Sequence, residues 1–423
     1  MEILDSRGRP TVRATCVLEG GVRGTASVPS GASTGRAEAH ELRDGDPRRY
    51  AGLGCLAATA NVSGPISSAA SGRTFGTQRE FDEMLLVLDG TPDRSRLGAN
   101  ALLAASLAFA RASALAYEVP LYEAFADLIG RQPARLPRLT VNLFSGGKHA
   151  GGQVPIQDVL IVPAAGRTTS EQLAMVFDVY QSAANLALRS YGYRPLVADE
   201  GGLAPNFPNV ERMLEDAVAA VAAAGYEPGR DVALGVDLAS SHFFAEGRYR
   251  LGPGVSLTGP ELVDVIGGWT ERFPIVSVED GLAEDDWEIW PALRSRLANR
   301  AIVVGDDLLV TNAVRVRRAV DLKAANTLLL KVNQVGTLTE AAAALRIARS
   351  AGWMVTISAR SGETEDDWLA DLAVGWSGDQ IKVGSITRSE RLAKYNRLLT
   401  IEAETSLPVI TWPADRSWSL SFS

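Results

Sequence analysis

The sequence predicts an α/β barrel of the (β/α)8 type preceded by an α+β capping domain. The main observation is a set of six apolar runs that each end in a charged residue, namely Glu200, Asp237, Glu279, Asp306, Lys331 and Lys382. From Asp306 onward, apolar runs recur at intervals of about 25 residues, roughly the length of one strand-plus-helix unit of such a barrel. Catalytic groups of barrel enzymes lie at the C-terminal ends of the strands, so the pattern also predicts that these charged side chains converge.

The N-terminal part of the chain has a different pattern, which predicts the capping domain. Residues 9–29 alternate strand-like segments around Gly20-Gly21, and this predicts a β-hairpin. Residues 47–127 are dominated by helical patterning. An early antiparallel sheet followed by helices is typical of the α+β class.

A proline-containing connection at 130–138 separates the two patterns. We therefore expect an N-terminal domain over residues 1–126 and a barrel domain over residues 127–423. A hydrophobic content of 46% and 423 residues are sufficient for two cores.

Helix boundaries in the second part support strand–helix alternation. One helix is expected to begin after an Asn209 cap and to end at Gly225, and another to begin after Thr337 or Thr339 and to end at Gly352. Strands that alternate with helices at this spacing are expected to be parallel.

Composition excludes several classes of function. A net charge of −8 argues against nucleic-acid binding, which needs a basic face. Two cysteines, Cys16 and Cys55, give no disulfide framework and favour the reducing cytoplasm. The apolar stretch 97–116 contains Arg111 and is too interrupted to span a bilayer, so we expect a buried helix and no membrane partner.

Asp237, Glu279 and Asp306 form a candidate metal site. Three converging carboxylates repel one another and do not all ionise without a compensating cation. Oxygen ligands favour Mg²⁺ over zinc, and a chain with only three histidines excludes a histidine-rich site. The alternative for each acid alone is a strand-end carboxylate paired with a surface arginine.

The two strand-end lysines and the segment after residue 357 suggest further roles. Lys331 follows an apolar run, and a nearby metal ion and second lysine would lower its pKa enough for a general base; the alternative is a structural salt bridge. Lys382 is expected to stay charged and to hold an anionic group of a substrate. Arg360 and Ser361 offer a guanidinium fork and a hydroxyl suited to phosphate.

Two acids and a histidine are candidates for proton transfer at the other side of the site. Glu200 precedes two glycines that allow a sharp turn toward a ligand, and together with Asp158 it could form a pair in which one carboxyl keeps its proton. His149 lies in the glycine-rich segment 146–152, which is suited either to reach a substrate or to form a simple turn.

The chain resembles the enolase family along nearly its whole length. The motifs occur in enolase order: ILDSRGRPTV, SGASTG, ELRDGD, LGANALL, GGKHAGG, ADEGGLAPN, VSVEDGL, VGDDLLVTN, KVNQVGTLTE, SGETEDD and RLAKYN. The resemblance implies an enolase-type barrel with its N-terminal domain, a small phosphorylated carboxylate as substrate, a homodimer or higher oligomer, and two Mg²⁺ ions per site.

Roles for individual residues are also implied by the resemblance. Asp237, Glu279 and Asp306 would bind the first Mg²⁺, and Ser33 would join the substrate phosphate in binding the second. Lys331 would be the general base, Glu200 the general acid, Lys382 a substrate-carboxylate contact, and Arg360 with Ser361 the phosphate site. Asp158, His149 and Gln157 match further active-site positions. The implied reaction removes the C2 proton of 2-phosphoglycerate to form phosphoenolpyruvate.

Several positions depart from the family pattern. Ala359 replaces the histidine of the SHRSGET motif, Asp158 replaces a glutamate, and Ser145 replaces an asparagine. These departures leave three hypotheses. The first is an enolase, the second a divergent paralogue such as the carboxyphosphonoenolpyruvate synthase of phosphinate antibiotic pathways, and the third a non-catalytic scaffold derived from an enolase.

Overall fold

The computed structural model describes residues 1–32, 35–192 and 196–413. An antiparallel three-stranded sheet begins the chain, with strands β1 (Glu2–Leu4), β2 (Pro10–Val17) and β3 (Arg23–Ser27). The β2–β3 hairpin turns at Gly20 and Gly21, which have φ values of 86° and 85°. The predicted hairpin is therefore confirmed, and the glycines supply the positive φ that the turn requires.

Helices follow the first sheet, as the patterning predicted. They are α1 (Leu56–Asn61), α2 (Ser67–Ala70), α3 (Gln78–Asp89), α4 (Ala99–Ala116) and α5 (Leu121–Leu128). A π-helical turn, Val62–Ile66, joins α1 to α2.

Helix α4 is the central helix of this domain. It is long and apolar enough to cross a membrane by composition, yet 78% of its residues are buried within the protein. It packs directly on β3 at Gly24, where a Cβ atom would lie 2.1 Å from the backbone nitrogen of Ala112. The prediction of a buried helix in this stretch is confirmed.

The second part of the chain forms a barrel. Its strands are β4 (Arg138–Leu139), β5 (Val141–Ser145), β6 (Asp158–Val162), β7 (Ala233–Asp237), β8 (Phe244–Ala245), β9 (Arg248–Gly252), β10 (Val255–Leu257), β11 (Ile275–Glu279), β12 (Ile302–Gly305), β13 (Thr327–Leu330), β14 (Met354–Ser358) and β15 (Gln380–Lys382). Strands β8, β9 and β10 form a separate small antiparallel sheet.

The remaining strands pair in the order β4-β15-β14-β13-β12-β11-β7-β6-β5. Strands β4 and β5 are separated only by Thr140 and act as one strand with two partners. One end of this strand pairs with β15 and the other with β6, so the sheet curves round into a nearly closed barrel. The predicted fold class is confirmed.

The expectation that all strands are parallel is wrong at β6, which is antiparallel to both β5 and β7. The β5–β6 connection, residues 146–157, contains only a short 3₁₀ turn, and a parallel connection requires a longer crossover, usually with a helix. The consequence for the site is direct. Asp158 begins its strand instead of ending it, and the reversed direction places it opposite Asp237.

Helices surround the barrel and cover its outer face. They are α6 (Thr169–Tyr191), α7 (Val210–Ala223), α8 (Gly259–Arg272), α9 (Trp290–Leu297), α10 (Ala313–Leu322), α11 (Leu338–Ser350), α12 (Trp368–Gly375) and α13 (Ser389–Glu404). Asn209 caps α7 as predicted, and Thr337, the first of the two candidates, caps α11. Both side chains accept a backbone N–H of the first turn.

Candidate active site

Five of the six charged run ends lie at one rim of the barrel. Each either ends its strand or follows it directly: Asp237 on β7, Glu279 on β11, Asp306 after β12, Lys331 after β13 and Lys382 on β15. Asp237 and Glu279 are register partners in the parallel β7–β11 pair. The predicted convergence of acids and lysines is thus present, because neighbouring parallel strands end at the same edge.

Lys382 connects the first two carboxylates. Its Nζ atom donates to Asp237 Oδ2 at 2.7 Å and to both oxygens of Glu279 at 2.8 Å. Gln157, which precedes β6, donates from Nε2 to the same Asp237 oxygen at 3.0 Å. All of these side chains are buried. Lys382 therefore contacts two of the predicted metal ligands.

Lys331 contacts the third carboxylate. Its Nζ atom lies 2.5 Å from Asp306 Oδ2, while Gln334 donates to the other Asp306 oxygen at 3.0 Å. Gln334 in turn accepts the hydroxyl of Thr311, and Thr311 accepts the backbone N–H of Lys331. This ring of bonds fixes both the carboxylate and the backbone that carries the lysine.

The electrostatics of these groups favour an added cation. Burial raises the pKa of Glu279, and the adjacent Asp237 carboxylate raises it further. Burial acts in the same direction on Asp237, but Lys382 and Lys331 overcome it and lower the pKa of that acid. Three buried carboxylates share two ammonium groups, so one negative charge stays uncompensated when all five ionise. The donor set therefore fits Mg²⁺, a hard cation that prefers oxygen ligands.

The groups of the protein that surround Lys331 raise its pKa above the ordinary value. Burial lowers it most, and the charges of Arg360 and Lys382 act in the same direction, but the Asp306 and Glu279 carboxylates raise it and the net direction is upward. Because a general base must be neutral, any cation that engages Asp306 favours the basic form of Lys331.

Arg360 and Ser361 lie beyond the end of β14 in a rigid segment. Arg391 donates to the backbone oxygens of both residues, at 2.7 and 2.6 Å. The Ser361 hydroxyl oxygen accepts from Arg7 at 3.1 Å and from the backbone N–H of Ala32 at 2.8 Å. A second guanidinium, that of Arg7, thus lies beside the predicted phosphate site.

The guanidinium of Arg360 is paired with a carboxylate that no sequence motif singles out. Its two Nη atoms donate to the two oxygens of Glu38 at 2.9 and 3.1 Å, and Nη1 also donates to Asn333. Both members of the pair are buried. This two-pronged contact is the geometry with which an arginine also binds phosphate.

Glu200 does not end a barrel strand, and that part of the prediction is wrong. It lies in a tight turn, where Ala198 donates its N–H to the Gly202 oxygen, and Gly201 has a φ of 88°. An isolated bridge from Leu203 to Phe144 holds the turn against β5. Of the apolar residues before Glu200, Leu196 and Val197 are exposed, and they form no strand of the barrel.

Both acids on this side of the rim accept hydrogen bonds from neutral side chains. Asp158 Oδ1 accepts the Ser145 hydroxyl at 2.6 Å. Glu200 Oε2 accepts from Asn142 Nδ2 at 3.1 Å. Asn142 and Ser145 lie on β5, so one strand supplies a partner to each acid. Ala359, at the end of β14, is buried next to Arg360.

Two predicted site residues cannot be placed. Ser33 and the side chain of His149 lie outside the described residues.

Sequence reasoning missed several contacts of the site, chiefly Glu38, Asn142, Asn333 and Gln334. Asn333 and Gln334 come directly after Lys331 in the motif KVNQVG, so their position beside a candidate base was an available signal. Glu38 and Asn142 had no such signal, because their partners are distant in sequence.

The fold and the rim together define an α/β-barrel protein that brings strand-end acids and lysines together at one edge of its barrel. Sequence comparison gives the family within that class. The family described as "Enolase, N-terminal domain" matches residues 1–125, and the one described as "Enolase, C-terminal TIM barrel domain" matches residues 133–410. The chain belongs to the enolase family, whose members are typically lyases.

Proposed function

We propose that this protein is an Mg²⁺-dependent lyase that removes the C2 proton of 2-phosphoglycerate, or of a close analogue, to form a phosphoenolpyruvate-type product. The observation that carries the proposal is the rim itself. Three buried carboxylates and two lysines lie at the ends of five strands of an enolase-family barrel, where Lys331 contacts one acid and Lys382 contacts the other two.

Each step of the reaction is assigned to a residue of this chain. Lys331 Nζ accepts the C2 proton, and the electrons of that C–H bond form the C2=C3 double bond. Glu200 donates a proton to the C3 hydroxyl, which leaves as water. Bound by Asp237, Glu279 and Asp306, Mg²⁺ would stabilise the negative charge that develops on the substrate carboxylate. Arg360 and Ser361 would bind the phosphate.

A second candidate function rests on Ala359. This residue gives the phosphate side of the site a methyl group where the family motif has an imidazole, so the site lacks one proton donor and the bulk of a ring. The carboxyphosphonoenolpyruvate synthases, which resemble enolases, use a phosphoglycerate together with an activated phosphonoformate. A smaller side chain beside Arg360 suits a larger or altered phosphoryl group.

Substrate profiling tests the proposal. Purified protein is incubated with 2-phosphoglycerate, with and without Mg²⁺, and phosphoenolpyruvate is followed by its absorbance. A nucleotide-activated phosphonoformate is then added, and the products are identified by phosphorus NMR. Phosphoenolpyruvate in the first assay supports the enolase reaction, whereas a phosphonate product only in the second supports the synthase.

The Lys331→Ala variant is the control for both assays. Turnover by the wild type that depends on Mg²⁺ and is lost in this variant supports catalysis at the rim. If neither assay yields a metal-dependent product at high protein concentration, both functions are contradicted. The remaining hypothesis is then the non-catalytic scaffold.

A further inference from the structure

Asp280 is a buried acid that the proposed reaction does not use. It directly follows Glu279 and has a φ of 41°, a backbone conformation that is uncommon outside glycine. Its Oδ1 atom accepts the backbone N–H of Asp306 at 2.9 Å, and its Oδ2 atom accepts the N–H of Asp307 at 2.7 Å. One carboxylate thus holds two consecutive amides of the turn that presents a predicted metal ligand.

The backbone of Asp280 adds further connections between strand ends. Its N–H donates to the Val304 oxygen on β12 at 3.0 Å, and its oxygen accepts the N–H of Ser240, beyond β7, at 3.1 Å. Glu279 likewise accepts the N–H of Leu238, the residue after Asp237. The ends of β7, β11 and β12, which carry the three predicted ligands, are therefore linked at Asp280 and its neighbour.

The same acid also belongs to a compact cluster. One carboxylate oxygen from each of Asp280, Asp306 and Asp307 lies within 4.8 Å of the others. Both oxygens of Asp280 already accept backbone amides, so its carboxylate is oriented toward the turn. This geometry is that of an anchor for the turn and differs from that of a third ligand.

We propose that Asp280 is a positioning residue, which fixes the turn after β12 so that the Asp306 carboxylate faces Asp237 and Glu279. The inference rests on the proposed function, because it takes these three acids as the metal ligands. Groups that orient metal ligands by hydrogen bonds commonly change metal affinity by about 10- to 100-fold when they are removed.

The test measures binding of Mn²⁺, in place of Mg²⁺, to the substrate-free protein by electron paramagnetic resonance. Asp280→Asn replaces one acceptor oxygen with an amide that cannot accept the backbone N–H. We expect the dissociation constant for Mn²⁺ to rise by about 10- to 100-fold. The matched control is Asp307→Asn, whose carboxylate accepts no backbone amide from the residues that the structure describes, and we expect a much smaller rise.

The outcomes separate this inference from the proposed function. Unchanged Mn²⁺ affinity in Asp280→Asn overturns the positioning role, and so does an equal loss of affinity in both variants. Complete loss of Mn²⁺ binding in both variants would identify the cluster of Asp280, Asp306 and Asp307 as the ligand set. A wild type that binds no Mn²⁺ overturns the inference and the proposed function together. A wild type that binds Mn²⁺ without producing phosphoenolpyruvate overturns only the proposed substrate. Thermal unfolding checks that each variant folds. If Asp280→Asn does not fold, Asp280→Ser, which keeps one acceptor on a smaller side chain, is measured in its place.

Discussion

The two sides of the rim are built differently. The carboxylate–lysine side, defined as Asp237, Glu279, Asp306, Lys331 and Lys382, consists of carboxylates that each contact an ammonium group. The acid side, defined as Asn142, Ser145, Asp158 and Glu200, pairs each carboxyl with a neutral side chain.

This difference explains where the chain departs from its family pattern. A substitution on the carboxylate–lysine side leaves an opposite charge buried without a partner, which is costly. A substitution on the acid side removes one hydrogen bond to a neutral group, which costs about 0.5–1.5 kcal/mol. The departures Ser145 and Asp158 both lie on the acid side and contact each other. Two of the three departures therefore lie on the permissive side of the rim, and the third, Ala359, lies next to Arg360 and outside both sides as defined.

The largest effect is expected on catalysis, in the Lys331→Ala variant. Removing the general base is expected to lower kcat by about 10²- to 10⁴-fold. Exchange of the substrate C2 proton with deuterium, followed by NMR, should be lost to the same extent, because this exchange requires the base and not the departure of water. Retention of C2 exchange in the variant would assign the base role to another group.

The next effect is expected on the free energy of unfolding, in Lys382→Met on the carboxylate–lysine side. The variant leaves Asp237 and Glu279 buried beside each other without the ammonium group, and breaking a buried ion pair costs about 3–5 kcal/mol. We expect urea unfolding without divalent ions to show a loss of this order, and Mg²⁺ to restore part of it by compensating the same carboxylates. The control is Lys323→Met at an exposed lysine on the surface. A loss that Mg²⁺ does not reduce would argue against a metal at these acids.

The smallest effect is expected on the acid side, in Ser145→Ala. This variant removes the 2.6 Å hydrogen bond to Asp158 and leaves its neighbours in place. A loss of about 1 kcal/mol corresponds to a decrease in kcat/KM of roughly five-fold. Ser240→Ala is the matched control, since Ser240 is also a buried serine near the rim and its hydroxyl makes no hydrogen bond to the described residues. A loss of 10²-fold or more in Ser145→Ala would show that the two sides do not differ as proposed.

The accuracy of the sequence-based predictions follows the same division. The members of the carboxylate–lysine side could be found from the pattern, because a buried strand reads as an apolar run and the residue at its end faces the rim. Glu200 was assigned to a strand by the same criterion, and wrongly, because it lies in a turn that Leu203 bridges to β5 and the apolar residues before it are partly exposed. Short apolar runs do not distinguish these two situations.

The sequence by itself determined the barrel class, the capping hairpin, the buried helix α4, the cap of α7, and the strand ends that carry acids and lysines. These features depend on local periodicity and on residues close in the chain. Only the tertiary structure decided which charges meet. It paired Lys382 with two acids and Lys331 with one, reversed β6 so that Asp158 faces Asp237, and brought Glu38 to Arg360 across 322 positions of sequence. Such pairings depend on strand order and direction, which are set by packing of the whole barrel and are not encoded in any local pattern.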